Sequence, residues 1–382
     1  MKQDVIIIGA GVIGLATAEQ LLLQGAKVTL IERNEVGLES SWAGGGILSP
    51  LCPWDYSDDV NRLSHYSTQL FPQWTSKLYK ASGIDPEYLI SGMKILSFID
   101  KKIIEDWRLQ YPTKIKYLAT SHTDIHINKK HNPGYRDQEN NSSILMPDIA
   151  QVRNPRLLKS LHIRILQLGG KIIENCIVNQ INIRNHNVHS LTTAQGQIFA
   201  DYYVVSAGAW SKPLLGPHAL GIDIKPIKGQ MLLFKFNEPP ITNILIKDNV
   251  YMIPRQDGHL LVGSTIEDVG FNKEITITAR NTLMKKAREI LPLLDKMPII
   301  KQWAGLRPAT KKNSPYIGRH STLSNLFMNA GHFRYGIVMA PASAEILANE
   351  ITNHSQKIDI SPYQPGSVSE QNCNINAIGI SD

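Results

Sequence analysis

Asp4-Val5-Ile6-Ile7-Ile8-Gly9-Ala10-Gly11-Val12-Ile13-Gly14 is the stretch from which the fold of this 382-residue chain is read. Asp4 to Ile8 is short, mostly β-branched and closed by glycine, the pattern of a buried strand. Gly9, Gly11 and Gly14 supply GxGxxG, and Val12 to Gln24 reads as a helix whose Ala18 and Leu21 pack. Gly25 ends that helix, Lys27 to Ile31 reads as a second strand, and Glu32 follows directly. This order suits a dinucleotide. Glycines let the backbone turn sharply and approach a pyrophosphate, the helix N-terminus faces its charge, and an acid at the next strand's end takes the ribose hydroxyls. A lone GxGxxG is an ordinary glycine-rich turn, but here strand, helix and acid all stand where the motif needs them.

The length suggests about two or three domains. With 42% hydrophobic and 19% charged residues the composition is that of a globular protein. The net charge of +7 comes from scattered basic residues, which read as a solvated surface and not as a nucleic-acid stripe. Cys52, Cys176 and Cys373 form neither a CxxC pair nor metal-ligand spacing, so no metal is expected and a reducing, cytoplasmic compartment is. The N-terminal apolar run follows a single lysine and is interrupted by Glu19 and Gln20 before the roughly 20 apolar residues that a bilayer span takes. Neither a signal peptide nor membrane insertion is expected.

Beyond Glu32-Arg33 comes a small-residue loop, Ser40-Ser41-Trp42-Ala43-Gly44-Gly45-Gly46, whose backbone N–H groups are free to approach a large planar or phosphate-bearing group. Residues 57–80 read as a helix with core aromatics. From about Tyr88 the pattern changes to short strands, such as Lys94 to Ile99, with a helix at Lys101 to Gln110. Residues 128–143 read as an exposed loop. Asn154-Pro155 opens a helix as N-cap and N1 residue, and Leu157, Leu158, Leu161, Ile165 and Leu168 recur at helical spacing until Gly169-Gly170. The strand Tyr202 to Val205 then runs into a second small-residue turn, Ser206-Ala207-Gly208-Ala209-Trp210. Residues 221–305 read as mostly β, with one helix over Thr278 to Ile290. A closing unit has strand Leu326 to Asn329, the turn Ala330-Gly331-His332-Phe333-Arg334-Tyr335-Gly336, and a helix to about Thr352. The polar tail from Ser355 reads as flexible.

Three small-residue turns aimed at one ligand, interleaved with two antiparallel insertions, resemble the flavin-dependent D-amino acid oxidase superfamily, and within it the glycine oxidases. The stretches Trp303-Ala304-Gly305-Leu306-Arg307-Pro308-Ala309-Thr310, Pro315-Tyr316-Ile317-Gly318-Arg319-His320 and Ala330-Gly331-His332-Phe333-Arg334 are similar to signatures of that group. The resemblance implies an α/β fold: a Rossmann-like, GR2-type FAD-binding domain over 1–85, 145–220 and 300–354, and a mostly antiparallel β substrate domain over 86–144 and 221–299. Both are discontinuous in sequence, and 355–382 would be a flexible tail.

By the same resemblance, the FAD contacts in the N-terminal half would be Gly9, Gly11, Val12, Ile13 and Gly14, then Glu32, Arg33, Ser40 and Ser41, then Ala43, Gly44, Gly45 and Gly46. Val178 would meet the adenine through its backbone, and the Ala207-Gly208 turn and Gly305 join the set. His332, Phe333, Arg334, Tyr335, Gly336 and Ile337 would close over the flavin ring. Arg307 matches the arginine that holds a substrate carboxylate, Tyr251 the tyrosine that assists it, and Arg334 a second arginine beside the active site. An arginine suits such a clamp because its planar fork gives two parallel hydrogen bonds to a carboxylate. Asn249 and Ile266 stand where the glycine oxidase pattern carries histidine and methionine, departures expected to alter the pocket lining. No cysteine lies near Arg307 or His332 in sequence, so non-covalent FAD is expected.

The implied activity is oxidative deamination of glycine and other small amino acids by hydride transfer to flavin, with O2 reduced to H2O2 and iminoacetate supplied for thiamine thiazole biosynthesis. The implied partners are a small amine or amino acid, O2 and thiazole synthase, in a homotetramer. The alternatives are a D-amino acid dehydrogenase with a quinone acceptor, which needs a membrane-docking surface not evident in the sequence, and the flavin domain of a tRNA-modifying enzyme, which needs a basic groove.

Overall fold

In the computed structural model, residues 3–97, 100–118 and 143–366 are described. The loop expected over 128–143 falls outside them except for Ser143. The first strand, Asp4–Ile8, lies inside a six-stranded sheet between Tyr202–Val205 and Lys27–Ile31, parallel to both. Lys171–Ile173 extends the sheet beyond Lys27–Ile31, Leu326–Ala330 joins on the other side, and Tyr316–Arg319 adds an antiparallel edge. Near-continuous apolar strands of this kind belong in a sheet covered on both faces. One face carries the helices Val12–Leu23, Asn154–Gln167 and Gly336–Thr352, packed over a core that includes Val5, Ile7, Leu15, Val204 and Leu347. The other face meets the antiparallel sheet of Val178–Arg184, Asn187–Thr193 and Gly196–Ile198 through Ile6, Val205, Leu191 and Val188.

The second large sheet has eight strands and is antiparallel except for one pairing, Ile244–Lys247 with Met93–Ile95. Its outer strand, Lys301–Ala309, falls in the stretch expected within the nucleotide-binding part, yet it pairs residue by residue with Lys225–Lys235. Arg307 therefore projects from the second sheet while the glycine turns project from the first, and the two sheets meet at the cavity between them.

Glycine is required where the first strand meets its helix. Gly9 has φ +106°, and a Cβ there would lie 2.5 Å from the Ser206 carbonyl oxygen. A Cβ on Gly14 would lie 1.9 Å from the Gly9 oxygen. The third glycine thus lets helix and strand touch.

The flexible tail expected over 355–382 is packed where it is described, over 355–366, and the rest of that stretch lies outside the described residues. Ile358 and Ile360 pack on the main core, and Tyr363 is fully buried with its hydroxyl donating to the Asp59 carbonyl at 2.7 Å. The polar composition of 355–366 concealed these three apolar anchors. Among the described residues, no helix is long and apolar enough to cross a membrane.

Candidate active site

The C-terminal ends of Asp4–Ile8, Lys27–Ile31, Tyr202–Val205 and Leu326–Ala330 all open on one cavity of about 450 Å³, where ligands bind in open α/β sheets. Its wall includes Gly9, Gly11, Val12, Ile13, Glu32, Arg33, Ser40, Ser41 and Ala43 to Gly46. Val178, Ala207, Gly208, Gly305, His332 to Ile337, Tyr251 and Arg307 line it as well. Gly14 does not reach it, because its place is the helix–strand contact described above.

At one end, Glu32 is buried, and its carboxylate accepts from Ala10 N–H at 2.8 Å and Asn34 N–H at 3.1 Å. The acid thus fixes the glycine turn as well as facing the cavity. Arg33 is stacked 3.5 Å over the Trp210 ring and paired with Glu39 at 2.6 Å. Ser41 Oγ accepts from Val12 N–H at 2.9 Å. The helix that begins at Val12 has no acidic residue in its first turn.

At the other end stand two guanidinium groups. Arg307 donates from Nη1 to the Thr265 carbonyl at 3.1 Å and from Nη2 to Ser264 Oγ at 2.5 Å. Room for it comes from Gly229, where a Cβ would lie 2.1 Å from Arg307 Nη2. Burial, reinforced by the like charge of Arg334, lowers the Arg307 guanidinium to about 10, so it stays protonated at neutral pH. Arg334 leans over the Phe333 ring, its centre 5.3 Å from the centroid. Among the described residues neither arginine has an ion pair with a carboxylate. Two like charges on one cavity wall, neither paired with a carboxylate among the described residues, suit an anionic ligand. Tyr251 stands beside them; its hydroxyl lies 3.6 Å from Met231 Sδ, and its ring lies against Gly263.

His332 is 2% exposed and shares a hydrogen bond with Ser343 Oγ at 3.0 Å. Burial pulls its imidazole down to about 3, so it is neutral at physiological pH. The helix Gly336–Thr352 starts at the wall with no side-chain cap and no acid in its first turn, so its positive end faces the cavity.

These features fit FAD. The glycine cradles admit a backbone-close pyrophosphate, the two helix starts carry no acidic residue, and buried polar atoms on the wall lack a partner among the described residues: Ser206 Oγ, Asn329 Oδ1 and Arg334 Nε. Such atoms are costly unless a ligand or water meets them.

Two expectations need correction. Asn249 is exposed in the turn that joins Ile244–Lys247 to Val250–Pro254, where it and Asp248 both have positive φ, and it does not line the cavity. An Asp-Asn pair serves that hairpin geometry. Ile266 packs behind Phe333 with Ile227 and Ala309 instead of facing the cavity. Asn154, Arg255 and Ser264 escaped the sequence reading. Asn154 looks like a helix cap, Arg255 follows an ordinary strand, and no motif marks Ser264.

The chain matches the family of FAD dependent oxidoreductases abbreviated DAO over residues 4–350. It is 39% identical over 368 residues to a glycine oxidase of Pseudomonas putida, covering 96% of this chain and 99% of that protein. It is 32% identical over 367 residues to a bifunctional protein ThiO/ThiG of Trichormus variabilis, covering 94% of this chain and 54% of that protein. A glycine oxidase structure from Bacillus cereus superposes with a TM-score of 0.83 at 27% identity, over 93% of this chain and 96% of that one.

Proposed function

Because the chain belongs to the DAO family of FAD dependent oxidoreductases, we propose that it is an amino acid oxidase acting on glycine and other small amino acids. The observation that carries this reading is the pair Arg307 and Arg334, two guanidiniums with no carboxylate partner among the described residues, on the wall of the cavity lined by the glycine turns. The likeness to a glycine oxidase at 39% identity over nearly the whole chain supports it.

FAD, when bound, would supply the hydride acceptor for the substrate Cα–H, with O2 as the final oxidant. Gly9, Gly11, Val12 and Ser41 would hold its pyrophosphate side, Glu32 its ribose and Val178 its adenine. His332 to Ile337, with the positive helix end behind them, would border its ring. We place the FAD as non-covalent, since neither Arg307 nor His332 has a cysteine beside it in the chain.

The remaining chemistry is positioning. Arg307, held by the Thr265 carbonyl and the Ser264 hydroxyl, takes the carboxylate with its fork and so fixes the one rigid handle a small amino acid has. Arg334 adds a second positive charge, and the Tyr251 hydroxyl is available to the same carboxylate. The amine enters neutral, so no general base is assigned. His332, kept neutral, adds no further positive charge to the cavity. Glycine, O2 and water give glyoxylate, ammonia and H2O2, with iminoacetate as the first product. The bifunctional ThiO/ThiG relative supports delivery of that imine to a thiazole synthase. We place the protein in the cytoplasm as a tetramer.

Anaerobic addition of glycine, sarcosine and D-alanine to the purified yellow protein, followed by air, tests this. Bleaching of the flavin, peroxide release on re-aeration, and FAD freed into the supernatant by acid are expected. Electrons that reach only a quinone or dye and never O2 would favour a dehydrogenase instead.

A further inference from the structure

The segment Ser41 to Gly46 runs from the helical turn Ser40–Ala43 into three glycines along the cavity wall, and side chains from three separate elements hold its carbonyls. Asn154, at the start of Asn154–Gln167, donates from Nδ2 to the Ser41 carbonyl at 2.8 Å and the Gly44 carbonyl at 2.9 Å. Trp303, on Lys301–Ala309, donates from Nε1 to the Ala43 carbonyl at 3.0 Å. Arg255, next after Val250–Pro254, donates from Nη2 to the Gly45 carbonyl at 2.8 Å.

We infer that Asn154, Arg255 and Trp303 are positioning residues that present the Gly45 and Gly46 N–H groups to the flavin ring: Asn154 and Arg255 draw the carbonyls of those two peptides out of the cavity, and Trp303 holds the turn that precedes them, whose Gly44 N–H is already bonded to the Ser40 carbonyl. The inference rests on FAD occupying the cavity.

The loop needs such restraint because of its own sequence. Three successive glycines allow their peptide planes to turn either way at little cost. Side chains that would stiffen the loop are excluded: a Cβ on Gly45 would lie 2.4 Å from Ile253 Cδ1, and one on Gly46 2.1 Å from the Val152 oxygen. Backbone bonds hold the two ends, Gly44 N–H to the Ser40 carbonyl at 3.2 Å closing the helical turn Ser40–Ala43 and Val152 N–H to the Gly46 carbonyl at 2.9 Å. Among the described residues, the Gly45 and Gly46 N–H groups have no acceptor of their own.

Each restraint also polarises a peptide. The Gly44 carbonyl held by Asn154 shares its peptide with Gly45 N–H, and the Gly45 carbonyl held by Arg255 shares its peptide with Gly46 N–H. A donor on the carbonyl strengthens the N–H across the same peptide as a donor. Arg255 is suited to this: it is 5% exposed, and among the described residues Nη1 meets the neutral acceptors Gln151 Oε1 at 2.6 Å and the Val152 carbonyl at 2.9 Å and no carboxylate. Its charge is therefore not cancelled by a touching carboxylate. A positive charge behind two aimed N–H groups stabilises negative charge developing on the ring, as fixed dipoles do in other active sites.

The test uses the flavin-loaded enzyme and sulfite, which adds reversibly to flavin and binds more tightly the better negative charge on the ring is stabilised. Sulfite is titrated by visible absorbance into wild type, Arg255→Lys, Asn154→Leu and Trp303→Phe. Trp303→Phe keeps an aromatic ring beside Trp42 while removing the Nε1 donor and part of the indole, so it remains informative if the others fold poorly. Weakening of sulfite binding by roughly ten-fold or more is expected in each folded variant, the scale of one lost hydrogen bond of about 1.5 kcal/mol. Lower thermal stability with sulfite affinity unchanged in Trp303→Phe and Arg255→Lys would overturn the inference and leave the three residues a purely structural role. A wild-type protein that holds no flavin would instead overturn the reading of the cavity on which this rests.

Discussion

Arg307 is the residue on which the substrate assignment turns. Arg307→Ala removes a two-pronged contact with a carboxylate inside a cavity. Two charge-assisted hydrogen bonds of about 1.5 to 3 kcal/mol each, partly replaced by Arg334, imply a loss of roughly 10²- to 10³-fold in kcat/KM for glycine. Lysine at this position rescues only in part, being a point charge without the fork. A carboxylate-free amine should lose far less, and the comparison to make is kcat/KM for both substrates in both proteins. Equal losses would mean that Arg307 serves the fold or the flavin. What the sequence left hidden at this scale is how Arg307 is held. Its partners Ser264 and Thr265 lie 42 or 43 positions away on no motif, and the room it needs depends on Gly229 across the strand pair. Glu32 was legible as an acid facing the ligand, yet its bond to Ala10 N–H, which ties it to the glycine turn, becomes visible only once the two strands lie side by side.

At the scale of elements, the strand–turn–helix units were legible because hydrophobic period and glycine placement agree over them. The helix expected over Val12 to Gln24 runs Val12–Leu23, and the one expected over Lys101 to Gln110 runs Lys101–Gln110. Asn154 misled by fitting the helix-cap pattern: it stands at the start of its helix, but its amide is turned to the Ser41–Gly46 loop. Local propensity cannot show a side chain recruited by a distant loop. The final turn and helix carry a pH-dependent consequence. His332 is buried against Ser343 on the helix Gly336–Thr352, and burial lowers its imidazole from 6.5 to about 3. Below pH 6.5 the unfolded chain takes up a proton that the folded chain refuses until about pH 3. Stability contributed by this group is therefore complete above pH 6.5 and is lost as the pH falls toward 3. In His332→Gln the thermal midpoint should fall less steeply between pH 6.5 and 4 than in wild type. Parallel curves would show that the imidazole titrates normally in the folded protein.

At the scale of the whole molecule, the alternation of parallel and antiparallel pairing could be read from where the hydrophobic pattern changes, but which sheet a boundary strand joins could not. Lys301–Ala309 follows a helix and precedes a nucleotide-domain strand, and only its hydrogen bonds to Lys225–Lys235 place it in the second sheet. The C-terminal segment was misread for a related reason: its polar residues outnumber its apolar ones, and the few apolar side chains do the packing. Tyr363 is fully buried and its hydroxyl donates to a carbonyl near the start of the helix Asp58–Ser82, joining residues 355–366 to that helix, with 304 positions between the bonded residues. Tyr363→Ala leaves a cavity the size of an aromatic ring, and large aromatic-to-alanine changes in cores cost about 3 to 5 kcal/mol. Tyr363→Phe keeps the ring and removes only the bond to the Asp59 carbonyl, a loss of about 1 kcal/mol. Thermal unfolding should therefore rank wild type above Tyr363→Phe and both well above Tyr363→Ala. A Tyr363→Ala protein as stable as wild type would mean that the segment is a dispensable extension and that the core of the first domain closes without it.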